Sequence, residues 1–95
     1  MKYDDVEITV EKSTYYNGNL CIIMNTEEGE TYAILTKNFQ EELDPYLAYV
    51  DTNNLPGIMD FIEKNKLGKF TGLYRESGFC KYPLFVFDLE VIKNV

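Results

Sequence analysis

Ninety-five residues, 45% of them apolar and 15% aromatic, suffice for one small hydrophobic core over 1–95 and exclude a disordered chain. The longest uncharged apolar run, Leu20 to Met24, is far short of the roughly 20 residues that cross a bilayer, which excludes a membrane helix. A net charge of −7, from sixteen carboxylates against nine basic side chains, repels phosphate backbones and disfavours direct nucleic-acid binding through a basic face.

The chain begins Met1-Lys2-Tyr3-Asp4-Asp5, which lacks the apolar stretch of a secretory signal and points to the cytoplasm. Val6, Ile8 and Val10 then alternate with Glu7, Thr9 and Glu11, the period of a half-buried strand placed here at Val6 to Lys12. Asn17-Gly18 tolerates positive φ and favours a tight reversal into Leu20 to Met24, an apolar run that suits a central strand. Glu28-Gly29 reverses the chain again into Thr31 to Thr36, completing a three-stranded meander.

Lys37 to Tyr46 carries Glu41, Glu42, Asp44 and Pro45 and reads as a loop or one helical turn, before a short strand at Leu47 to Val50. Asp51-Thr52-Asn53-Asn54 supplies side chains able to cap a helix start, and Pro56 suits the first turn. Leu55, Ile58, Met59 and Ile62 recur at helical spacing with Phe61 beside them, predicting a helix of about three turns that Gly68 stops. Phe70 to Glu76 and Lys81 to Phe87 read as two strands joined through Ser77-Gly78, the second being an edge or irregular at Pro83. The expected fold is α+β, an antiparallel sheet of about five to six strands with one amphipathic helix packed on it, in the order β-β-β-β-α-β-β.

Charge is distributed unevenly. Through Asp51 there are eleven acidic and three basic side chains, net −8, whereas from Thr52 onward five acidic stand against six basic, net +1. Glu7, Glu11, Glu27, Glu28, Glu30, Glu41, Glu42 and Asp44 form a candidate acidic surface that would attract a basic protein partner; the plainer reading is that they keep the domain soluble.

Chemistry is sparsely supported. Histidine is absent, which removes the commonest general base and metal ligand together with Ser-His and Cys-His pairs. Two cysteines, Cys21 and Cys80, cannot complete a Cys/His zinc site and read as reduced core residues. Neither serine lies in a Gly-x-Ser-x-Gly setting, and no phosphate-binding glycine pattern occurs. Paired carboxylates such as Asp4/Asp5 and Glu41/Glu42 sit in polar segments where acid–base chemistry has no support. No enzymatic activity, cofactor or metal is expected.

Two stretches have residue types suited to binding. Asp51, Asn53 and Asn54 concentrate hydrogen-bonding groups at a strand-to-helix junction, which suits either a polar ligand or simple helix capping. Tyr74 to Pro83 holds the only arginine and several aromatics, making Arg75, Phe79 and Tyr82 contact candidates; the alternative has both aromatics in the core and Arg75 paired with a carboxylate.

The same stretches carry a resemblance. Ala48-Tyr49-Val50-Asp51-Thr52-Asn53-Asn54, the run Phe61-Ile62-Glu63-Lys64 leading to Leu67-Gly68, and Ser77-Gly78-Phe79-Cys80 with Tyr82-Pro83 resemble a family of short bacterial proteins, domain of unknown function 4313. The likeness extends from Glu11-Lys12-Ser13-Thr14-Tyr15 to Phe87. It implies a cytoplasmic accessory protein of Gram-positive mobile elements with an anti-defence role. Leu73-Tyr74 departs from the small polar or basic residues usual there, and the chain is unusually acidic, so no nucleic-acid contact is carried over. The leading expectation is a non-enzymatic binder presenting its acidic half to the nucleic-acid channel of a defence nuclease, as an anti-CRISPR or anti-restriction mimic. The alternative is a regulatory or structural module that pairs as a homodimer through an exposed edge strand.

Overall fold

Turn chemistry and alternation set the strand order in the computed structural model, which describes residues 1–93. Strands β1 (Lys2–Tyr3) and β2 (Val6–Glu7) pair through Asp4 and Asp5, both at positive φ, as a two-residue hairpin loop requires. After Ile8, which is fully buried, the chain enters β3 (Thr9–Thr14). The strand expected over Val6 to Lys12 is thus two strands, with Ile8 donating its N–H to the Met1 carbonyl at 2.7 Å. Asn17-Gly18 turns β3 into β4 (Leu20–Asn25), with Gly18 at φ +86°. The Thr26–Glu30 turn leads to β5 (Thr31–Ile34), giving the antiparallel order β3-β4-β5.

The extended chain then changes partner. Leu35 donates its N–H to the Ile22 carbonyl on β4 at 2.9 Å and accepts from the Asp51 N–H at 3.0 Å. Beyond it, β6 (Thr36–Lys37) pairs with β7 (Leu47–Val50) instead of with β4. The Thr36 hydroxyl still accepts the Ile22 N–H at 3.2 Å, so the handover leaves that buried amide satisfied. Strands β8 (Gly68–Ser77) and β9 (Cys80–Phe87) complete a four-stranded sheet in the order β6-β7-β9-β8. The expected single sheet is therefore divided into antiparallel sheets of two, three and four strands: the first is set apart by the break at Ile8, and the other two divide where the chain exchanges neighbours at Leu35.

Helix α1 (Ile58–Lys64) buries Ile58, Phe61 and Ile62 and exposes Asp60, Glu63 and Lys64, following the apolar stripe. It is shorter than the three turns expected, and Gly57 occupies its N-cap without a side-chain hydrogen bond. Gly68 does not stop it. Lys66 takes the left-handed position at φ +57°, Leu67 donates to the Ile62 carbonyl at 2.9 Å, and Lys66 donates to Glu63 at 3.1 Å, a Schellman closure. Gly68 serves a different need, since a Cβ there would lie 2.6 Å from the Val86 carbonyl oxygen. A second helix, α2 (Leu89–Lys93), was not expected; Asp88 caps it by accepting the Glu90 and Val91 N–H groups at 3.1 and 3.2 Å.

The core joins Ile8 and Val10, Leu20, Ile22 and Met24, Leu35, Val50, the α1 stripe, Phe85, Phe87 and Ile92. Phe85 is fully buried, with Phe70 and Phe87 at ring separations of 5.7 and 6.0 Å. Pro83 lies in the central strand β9, at the place where pairing with β8 slips between Phe70 and Tyr74. Thr71, Gly72 and Leu73 there oppose a single residue, Leu84, whose carbonyl accepts the Thr71 hydroxyl at 2.8 Å. The β9 strand is thus irregular near Pro83; it lies between β7 and β8 from Leu84 to Val86, and at Pro83 only β8 pairs with it.

Two substitutions separate the roles of the α1–β8 junction. Gly68→Ala is expected to destabilise the fold by about 1–3 kcal/mol through the clash with Val86. Lys66→Gly is expected to raise stability by about 0.5–1 kcal/mol by relieving the left-handed lysine. Urea unfolding monitored by tyrosine fluorescence checks both, and equal effects of the two would contradict the assignment.

Candidate functional site

The sequence candidates at the strand-to-helix junction divide by burial. Asp51 is buried, and its carboxylate accepts the Asn54 N–H at 3.2 Å and the Asn54 side-chain amide at 2.9 Å. Its carbonyl accepts the Leu55 N–H at 3.1 Å. Asp51 therefore fastens the 51–55 turn and does not cap α1, which begins three residues after Leu55. Asn53 and Asn54 are exposed on that turn.

Arg75, Phe79 and Tyr82 have three different environments. Arg75 donates from Nε and Nη2 to Glu41 at 2.8 and 2.6 Å, and its guanidinium lies 3.9 Å from the Phe39 ring centroid. This partner holds the Glu41 carboxyl below its ordinary pKa, chiefly through the hydrogen bond from Arg75. Tyr82 is buried, 5.4 Å from the Phe39 ring and 5.9 Å from the Lys37 ammonium. Phe79 is fully exposed at the β8–β9 turn, with Leu73 and Tyr74 also exposed on β8. Pairing of β9 with β7 ends at Leu84, so residues 74–83 form a two-stranded arm beyond the third strand.

The acidic candidates fall into groups set by β4. Glu27, Glu28 and Glu30 surround the turn after Asn25, while Glu41, Glu42 and Asp44 occupy the β6–β7 loop. That loop is fastened to the opposite end of β4. Asn19 donates its side-chain amide to the Glu41 carbonyl at 2.8 Å and to Asn38 at 3.1 Å, and accepts the Leu43 N–H at 2.9 Å. Asn17 adds a bond to the Phe39 carbonyl at 3.0 Å. Six strand residues separate the two groups by about 20 Å, so these carboxylates form two poles instead of one face. Glu7 and Glu11 stand apart on β2 and β3, Glu7 accepting from the Met1 amino group and Glu11 from the Asn25 amide at 2.7 Å.

Sequence reasoning missed Asn19, whose burial at 4% exposure and long-range partners hold the loop. Its only sequence signal is its place beside Asn17-Gly18, which suggests a turn and nothing more. It also missed an open groove of about 1260 Å³ with Tyr46, Phe70 and Val86 along it and Lys66 and Lys69 at its side. No candidate residue lines this groove, since its walls come from distant segments that share no motif. Cys21 and Cys80 are free thiols, buried and half-buried respectively.

The model of the family described as Domain of unknown function (DUF4313) matches residues 9–95. The chain belongs to the DUF4313 family. No curated protein and no solved structure matches it. The two stretches singled out in the sequence, the 51–54 turn and the 74–83 arm, both lie within the DUF4313 match. Among the described residues, no helix is long and apolar enough to cross a membrane.

Two outcomes follow from these contacts. Asn19→Ala is expected to cost about 1–3 kcal/mol and to speed hydrogen exchange at the Leu43 amide, because it leaves buried groups without partners. Unchanged exchange would show that the loop has another anchor. Tyr15, whose hydroxyl bonds Thr36 at 2.9 Å, has its pKa pushed up from 10.0 to about 12, mainly by burial. A raised folded-state pKa means that this contribution is full below pH 10 and lost as pH rises toward 12. Stability measured across that window should fall more steeply for the wild type than for Tyr15→Phe.

Proposed function

We propose that this protein is a non-enzymatic binding protein that recognises a basic surface on another protein through the two acidic poles at the ends of β4. One observation supports the reading above the others: apart from Glu41, which Arg75 pairs, no ion pair among the described residues neutralises the carboxylates of these poles. Among the described residues, the side chains of Glu27, Glu28, Glu30 and Glu42 have no hydrogen-bond or ion-pair partner. All are exposed. A solvated carboxylate loses little by meeting a lysine or arginine at a partner's rim, and its field speeds the encounter.

Within this reading, the partner is a nucleic-acid-binding protein and the setting is a cytoplasmic mobile-element protein. Poles about 20 Å apart, each with several negative charges, offer a basic channel separated anionic contacts in place of a phosphate track. The anti-defence role follows as its most specific form, inhibition of a nuclease by occupation of its channel. The absence of histidine and of a phosphate-binding glycine motif agrees with recognition without catalysis.

The test compares wild type with Glu27→Gln/Glu28→Gln/Glu30→Gln and with Glu42→Gln/Asp44→Asn as bait in lysate of a Gram-positive, nuclease-bearing host. The wild type should retain a basic protein at about 0.05 M salt and release it by about 0.3 M, as the Debye length shrinks. Each variant should retain less at low salt, and duplex DNA should compete with the wild type. Capture that ignores salt, DNA and both sets of substitutions would overturn the proposal.

A further inference from the structure

The β8–β9 arm has a backbone pattern that the acidic reading does not use. Ser77 and Cys80 flank the two-residue turn Gly78-Phe79, which makes them a hydrogen-bonded pair. Antiparallel alternation then makes Glu76 and Lys81 a non-bonded pair, Arg75 and Tyr82 a bonded pair, and Tyr74 and Pro83 a non-bonded pair. Pro83 thereby falls where no N–H is needed, which independently supports the phase. The N–H and C=O groups of Tyr74 and Glu76 consequently point away from β9, toward the edge of the sheet that no strand covers, where the Glu76 carbonyl accepts only a long hydrogen bond from the Arg75 guanidinium at 3.4 Å.

We infer that this edge is the interface for a second copy of the chain, formed by antiparallel pairing of β8 with β8. A two-fold axis beside Arg75 sets Tyr74 of each copy opposite Glu76 of the other, so each such pair exchanges two backbone hydrogen bonds. The bulge at Gly72, at φ +89°, blocks continuous pairing nearer the core and confines the contact to the arm.

Charge limits where a second copy can approach, and the arm is the face that permits it. Two molecules of net charge −7 repel one another, and the least costly approach uses the half beginning at Thr52, whose net charge is +1. Glu76 and Lys81 balance each other on the arm, with Nζ 3.9 Å from the carboxylate. The two Arg75 side chains brought near the axis are each already paired with their own Glu41. Leu73 at 63% exposure and Phe79 at 109% supply apolar surface beside the open backbone groups, and pairing the copies covers part of it.

Sedimentation of the full chain from about 10 μM to about 1 mM should show a monomer–dimer equilibrium. Glu76→Pro removes one outward N–H without removing any β8–β9 hydrogen bond and should weaken the dimer at least about tenfold. Leu73→Lys, placed on an exposed side chain, should weaken it similarly, and circular dichroism verifies that both variants are folded. Glu27→Gln/Glu28→Gln/Glu30→Gln should dimerise as the wild type does, so this result is separable from the acidic-pole test. A wild-type monomer throughout the range would overturn the inference, as would folded variants that dimerise with wild-type affinity. A monomer that instead binds an extended peptide along β8 would also overturn it.

Discussion

The handover at Leu35 is the constraint on which the architecture depends. One extended segment gives its first part to β4 and its second part to β7, with Leu35 bonded to Ile22 on one side and Asp51 on the other. Because Leu35 and Ile22 are fully buried, these amides have no access to water, and an unpaired group there would cost about 1–3 kcal/mol. Thr36 completes the junction with a hydroxyl that accepts from the Ile22 N–H and shares a hydrogen bond with the Tyr15 hydroxyl. The core can then pass continuously from the meander to the four-stranded sheet.

That junction also sets where charge can go. The meander turns at both ends of β4, so the acidic segments before and after the handover emerge at opposite poles. Asn19 fixes the second pole by bonding the loop that carries Glu41 and Glu42, and Arg75 secures Glu41 from β8, the far strand of the same sheet. The exposed Arg75–Glu41 pair adds position more than stability, since such pairs are weak in water. Glu42, which has no such tether, keeps its charge available to solvent. Charge placement is therefore a product of polar bonds at the loop and apolar packing at the core, and the arm, which β7 does not reach, joins the loop through Arg75.

Local chemistry was readable where a short motif determines its own conformation. Asn17-Gly18, Glu28-Gly29 and Ser77-Gly78 all mark reversals, and Leu55, Ile58, Phe61 and Ile62 all enter the core. The helix end was misread because Gly68 looked like a terminator, whereas Lys66 accepts the left-handed conformation and Gly68 answers to Val86, eighteen positions away. Asp51 offered an acceptor without showing which amides would reach it. Helix α2 did carry a signal, Asp88 before Leu89-Glu90-Val91, but its single short turn gave too little periodicity to notice. The Arg75–Glu41 contact and the separation of the acidic poles depend on residues brought together across the fold, so no local pattern encodes them.

The account of recognition rests on free carboxylates at both ends of β4, with the β8–β9 arm reserved for another contact. Carboxylate footprinting by carbodiimide labelling, with and without the captured basic partner, tests it most directly. Protection of Glu27, Glu28 and Glu30 together with Glu42 and Asp44 is the predicted result. Unchanged labelling at both poles, with protection confined to Glu76 on the arm, would contradict it.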